Sequence, residues 1–140
     1  MKYMIMMYGT QRDYAAMSGE ETGTGWTAED FTAMYEFMAQ WNQELVDSGE
    51  FVDARGLGAP VLTRRVTGLK DGVPVVTDGP YAETAEVLAG YTIVECASFD
   101  RATEIAARVT QCPSPPGAEV NAAYVDVRPI LEDRAADLQG

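Results

Sequence analysis

The sequence predicts a single α+β domain with an antiparallel sheet and helices on one face. Three observations predict it. Two segments repeat apolar residues at helical spacing, around residues 31–45 and 99–109, while short extended runs fill most of the remaining chain. The order of these elements is strand, helix, several strands, helix, strand. The chain has 140 residues, 46% hydrophobic and 23% charged, which suits one globular domain, here bounded as residues 1–130, followed by a polar tail over 131–140.

Each element has a local reason. Tyr3 to Tyr8 reads as a strand with two apolar faces, Met4, Met6 and Tyr8 on one and Tyr3, Ile5 and Met7 on the other. A strand with one wet face alternates instead, so both faces are expected to be covered. Gly9 to Gly25 is polar, shows no period, and reads as a long loop and candidate lid. Thr27 then caps a helix, with Asp30 completing an approximate capping box and Trp26 and Phe31 at the spacing of a hydrophobic staple. The stripe Phe31, Met34, Tyr35, Met38, Trp41, Leu45 is read as core packing rather than pocket lining, and Ser48-Gly49 ends the helix.

Glu50 to Leu57 reads as a strand. Val61 to Thr67 and Val73 to Thr77 form a hairpin around Lys70-Asp71-Gly72, because Asp-Gly supplies the positive φ that a tight turn needs. Tyr91 to Cys96 is a further strand opened by Gly90. Ser98 or Asp100 caps a second helix over Phe99 to Thr110, whose apolar positions are Phe99, Ala102, Ile105, Ala106 and Val109. The Pro-rich stretch from Cys112 to Gly117 is a stop and turn, and Ala122 to Ile130 is the last strand. This is the split β-α-β order of ferredoxin-like folds. Its bare sheet face, assigned to Tyr3, Met7 and their neighbours, would expose a large apolar patch, so a homodimer stacking two sheets is expected.

Composition excludes whole classes of function. The formal net charge is −12, with 10 basic against 22 acidic residues, which disfavours nucleic acid and anionic membrane surfaces as partners. The chain contains no histidine, so a Ser-His-Asp or Cys-His triad and His-based metal sites are impossible. General acids and bases must be carboxylates, Tyr, Lys or Cys. The two cysteines, Cys96 and Cys112, do not form a disulfide framework, and no apolar run is long enough to span a bilayer. A soluble cytoplasmic protein without metal or cofactor is expected.

The most unusual stretch is Val76 to Tyr91. It sets Asp78, Gly79, Pro80 and Tyr81 in a row, continues with Ala82-Glu83-Thr84, and enters a strand through Gly90-Tyr91. This resembles the signature of YCII-related proteins of the DGPF type, with Tyr81 where Phe is commoner. Lys2-Tyr3-Met4, Ala106-Ala107-Arg108 and Val127-Arg128-Pro129 extend the resemblance over nearly the whole domain. The resemblance implies a ferredoxin-like domain pairing as a dimeric α/β barrel. It also implies a neighbourhood with extracytoplasmic-function sigma factors. The His-Asp pair proposed as catalytic in some relatives lacks its histidine here.

Candidate site residues follow from charge and rigidity. Asp78, fixed by Gly79-Pro80, is the candidate catalytic carboxylate; as a turn residue it would instead bond nearby backbone N–H groups. Tyr81, Glu83, Arg128 and Tyr8 are candidate ligand-binding residues. Glu83 and Glu86 would pair as carboxylates, bind a hard cation through oxygen, or simply favour a helix dipole. Arg55, Arg64, Arg65 and Arg128 are scarce cations suited to a carboxylate or phosphate ligand, or to pairing with local acids such as Asp126. Two functions are therefore open. One is a small-molecule protein with carboxylate-based, metal-free chemistry near Asp78. The other is a non-catalytic regulator whose acidic surface meets a sigma factor or another basic protein.

Overall fold

The computed structural model describes residues 1–18, 27–78, 81–82, 85–113 and 124–131, the side chains of Ala16, Ser18 and Asp78 excepted. Strand β1 (Lys2–Gly9) leads into a short helix α1 (Gln11–Ser18) and a long helix α2 (Ala28–Ser48). Strand β2 (Phe51–Gly56), a 3-10 turn at Pro60–Leu62, and strands β3 (Arg64–Lys70), β4 (Val73–Asp78) and β5 (Val87–Glu95) follow. Helix α3 (Phe99–Val109) and strand β6 (Asp126–Pro129) complete the order.

The caps explain where the helices begin and end. The Thr27 hydroxyl accepts from the Asp30 N–H while the Asp30 carboxylate accepts from the Thr27 N–H. Gly49 closes α2 at φ 77°, a left-handed conformation that glycine adopts without penalty. Ser98 caps α3 through the Arg101 N–H. Trp26, the other half of the expected staple, lies outside the described residues.

The main sheet runs β2-β5-β1-β6, every pair antiparallel, which is the strand order of a ferredoxin-like arrangement. Strands β3 and β4 form a separate hairpin. Asp71 (φ 53°) and Gly72 (φ 79°) sit at its tip, as the Asp-Gly pair predicts.

The faces of the sheet come out opposite to expectation. Tyr3 is only 3% exposed and Ile5 is fully buried; together with Val94 they meet Trp41, Leu45, Ala102, Ile105 and Ala106 of the helices. Met7 packs against the same core. Tyr3 and Met7 therefore do not belong to the bare face. Residues directly opposite across a ladder share a face. The pairs Met4↔Ile93, Met6↔Tyr91, Asp53↔Ile93, Arg55↔Tyr91, Met4↔Arg128 and Met6↔Asp126 thus place these eight residues on the other side. Because β1 is apolar on both faces, its alternation alone could not choose between them.

The two long helices are tied across the core and at its rim. Trp41 Nε1 donates to the Ile105 carbonyl at 3.1 Å, which satisfies the one polar atom of a fully buried indole. Burying each large apolar side chain here stabilises the fold by roughly 1.5–3 kcal/mol. Arg101 grips Glu50 with two hydrogen bonds, at 2.9 and 2.8 Å, joining the first turn of α3 to the approach of β2. Arg108 likewise holds Glu44 of α2 and lies over the Phe37 ring. These guanidinium bonds hold the Glu50 and Glu44 carboxyls below the usual carboxylate range.

Candidate functional site

Where the first half of α2 passes over the sheet, the strands present little side chain. Ala54 pairs with Thr92 and Gly56 with Gly90, so four small residues share the helix-facing side at that end. Glycine at position 90 is required by close approach: a Cβ there would meet the Arg55 carbonyl oxygen at 2.9 Å. The result is a cavity of about 570 Å³ between this floor, α1 and α2. Met34, Tyr35 and Met38, read from the sequence as core, form its wall on α2. Only Trp41 and Leu45 of that helix are fully buried. The stripe outruns the core because small floor residues leave its first half nothing to interlock with.

The other wall is α1, which falls inside the stretch expected to be loop. Its first turn is a reciprocal cap, the Asp13 carboxylate accepting from the Thr10 N–H at 2.9 Å and the Thr10 hydroxyl from the Asp13 N–H at 3.0 Å. Tyr14 donates its phenol hydrogen to the Leu57 carbonyl at 2.9 Å, with the Ala89 carbonyl 3.4 Å away. Burial, and then the nearby Asp13 charge, push the Tyr14 pKa up. Asp13 is 8% exposed and lines the cavity, as does Met17. Asn42, one turn beyond Met38, lines it too. Its Oδ1 is buried and has no hydrogen-bond partner.

The residues singled out from the sequence scatter around this cavity. Tyr8 lines it, but its hydroxyl is committed, donating to Asp126 Oδ2 at 2.6 Å. That bond, followed by burial and the Asp126 charge, pushes the Tyr8 pKa up to about 12, while Arg128 acts the other way. Asp126 is thus held by Tyr8, and no ion pair joins Arg128 to it among the described residues. Arg128 lies opposite Met4 on the sheet face away from α2 and α3. Tyr8 also meets the Tyr124 ring at 5.5 Å, and the Tyr124 hydroxyl donates to Glu86, which raises the Tyr124 pKa.

Tyr81 lines a different pocket of about 350 Å³, beside Leu57, Pro60 and Leu62, with the Arg65 guanidinium 5.5 Å from its ring centre. Leu57 lines both pockets, so they adjoin. Asp78 ends β4 opposite Arg64 at the base of the hairpin, its side chain outside the description. Glu83, Gly79 and Pro80 lie outside the described residues. Arg55 lines the main cavity, but its guanidinium is paired with Asp53 at 2.9 Å and is 66% exposed. Cys96 and Cys112 are free thiols, and burial pushes the Cys112 pKa up, so nothing activates it.

Sequence reading missed Asp13, Tyr14, Met17 and Asn42. The first had a signal, because Thr10 and Asp13 have the spacing of a capping box. Asn42 had none, since an amide in the middle of a helix reads as surface until the sheet beneath it is known. No helix among the described residues is long and apolar enough to cross a membrane.

The chain is 25% identical over 119 residues to an uncharacterised protein of Rhizobium meliloti (strain 1021), a match covering 85% of this chain and 90% of that one. The YCII-related domain matches residues 1–129, from the residue before β1 to the last of β6. Taken with the sheet order and the helix pair on one face, that full-length match makes the chain a member of the YCII-related family.

Proposed function

We propose that this protein binds a small organic molecule in the cavity between α1, α2 and the sheet. The observation that carries the reading is the buried, unpartnered Asn42 Oδ1 on the wall of a cavity of about 570 Å³. Ligand pockets are typically about 300–1,000 Å³, mostly apolar, with a few convergent polar groups. A buried acceptor without a partner is unfavourable by about 1–3 kcal/mol, and a bound donor relieves that cost. Tyr81 lines a pocket of about 350 Å³ that adjoins this cavity at Leu57. A thermal-shift screen of metabolites tests the reading. Binders should raise the melting temperature of the wild type and lose that effect in Ala54→Leu, which fills the floor. Equal stabilisation of both proteins contradicts the site.

A second reading concerns assembly, and one observation favours it. The sheet face away from α2 and α3 has a half-buried apolar centre of Met4, Met6, Tyr91 and Ile93, with Asp53 and Arg55 on one edge strand and Asp126 and Arg128 on the other. Apolar centre and charged rim are the anatomy of an interface. We propose that two copies pair through it as a homodimer. Sedimentation should give a dimer for the wild type and a monomer for Met6→Glu; a monomeric wild type at micromolar concentration contradicts the pairing.

A further inference from the structure

We infer that the ligand of this cavity is an amine carried on an apolar, aromatic body. The inference rests on the cavity-binding reading and adds the chemistry of the ligand.

The carboxylate and the buried amide oxygen of the cavity lining are both acceptors. Asn42 Oδ1 is an acceptor with nothing to accept. Asp13 brings a carboxylate that is 8% exposed. One oxygen takes the Thr10 N–H, and no Lys or Arg pairs with it among the described residues. The Tyr14 hydroxyl hydrogen is already given to the Leu57 carbonyl. The cation on the lining, Arg55, is exposed, held by Asp53, and sits opposite Tyr91 on the sheet's other face. A carboxylate or phosphate ligand would therefore meet the Asp13 charge with no free cation among the described lining residues to offset it. An ammonium or amine meets the reverse: a carboxylate of opposite charge and an amide oxygen that needs a donor.

The apolar lining fits the remainder of such a molecule. Met7, Met17, Met34 and Met38 surround the cavity. Thioethers are polarisable, adapt to irregular shapes and make favourable contacts with aromatic rings. The rings of Tyr14 and Tyr35 add faces on which a cation is attracted.

Three probes of matched shape test this: 2-phenylethylamine, 3-phenylpropionate and 2-phenylethanol. Each is titrated into protein labelled with ¹³C at the methionine methyls, and affinity is read from the cavity resonances. The amine is expected to bind at least about tenfold more tightly than either other probe, the factor that one charge-assisted hydrogen bond supplies. Asp13→Asn, which keeps the acceptor for the Thr10 N–H, and Asn42→Ala should each weaken the amine about tenfold. Equal or tighter binding of the propionate or the alcohol overturns the amine assignment and leaves the cavity reading standing. Unchanged amine affinity in both variants overturns it as well. Silence of the cavity methionines towards all three probes overturns the amine assignment, and the cavity reading is then decided by the wider library of small organic molecules. Should a variant fail to fold, the comparison of probes on the wild type decides alone.

Discussion

Tyr14 of α1 donates a hydrogen bond to the Leu57 carbonyl just beyond β2, at 2.9 Å, and so ties the short helix on one wall of the cavity to the sheet's edge. Eight residues make a marginal helix in isolation, so α1 depends on such tertiary ties. Tyr14→Phe should destabilise the protein by about 1 kcal/mol. Amide exchange in α1 should rise more than in α2, and hydrogen-exchange mass spectrometry reads both. Equal protection of α1 in the variant and the wild type contradicts the tie.

The Tyr8–Asp126 bond makes stability fall at high pH. Tyr8 holds its proton up to about 12, whereas an unfolded tyrosine loses it near its ordinary value of 10.0. The folded pKa is raised, so this contribution is fully present below pH 10 and is lost as pH climbs towards 12. The raised Tyr14 pKa acts in the same direction. Ultraviolet titration of the phenolates should show a group ionising near 12 that moves towards the ordinary tyrosine range in Asp126→Asn.

Asn42 should trade stability for binding. Replacing it by leucine removes a buried acceptor that has no partner while keeping the branched shape, and the adjoining cavity has room for the larger methyl groups. Asn42→Leu is therefore expected to stabilise the unliganded protein by about 1–2 kcal/mol in urea denaturation. A loss of stability of similar size would mean that the amide oxygen is satisfied in solution.

Gly90→Ala should be destabilising. The added methyl would stand 2.9 Å from the Arg55 carbonyl oxygen and 3.5 Å from the Gly56 Cα, and backbone on the neighbouring strand cannot swing aside. The expected loss is about 1–3 kcal/mol, as for other forced close contacts. It should come with faster exchange along β2 and β5.

What could be read in the sequence was local, and what could not was set by pairing at a distance. The Thr27–Asp30 cap, the Gly49 stop, the Ser98 cap and the Asp71-Gly72 turn each rest on a few neighbouring residues, and the structure has them where the spacing puts them. The helix α1 was hidden because its stretch is polar and without period, and its support comes from Leu57. The face of β1 was ambiguous because Met and Tyr occupy both sides. Met34 and Met38 look like core residues in a helical stripe. They line a cavity because Gly56 and Gly90, far apart in sequence, meet beneath them. Asp78 and Arg128 drew attention by motif and charge, whereas the polar groups at the cavity, Asp13 and Asn42, carried no motif of that kind.

The methionines provide the most direct test of the central claim that the cavity is a ligand site. Met7, Met17, Met34 and Met38 line it, while Met4 and Met6 lie on the sheet face away from α2 and α3 and Met1 is exposed at the terminus. A ¹³C-methyl methionine spectrum recorded against a library of small organic molecules distinguishes the two groups. Binding in the cavity predicts compounds that shift the resonances of Met7, Met17, Met34 and Met38 and leave Met1, Met4 and Met6 in place. Compounds that move Met4 and Met6 alone, or a library that moves none of the cavity four, would contradict it.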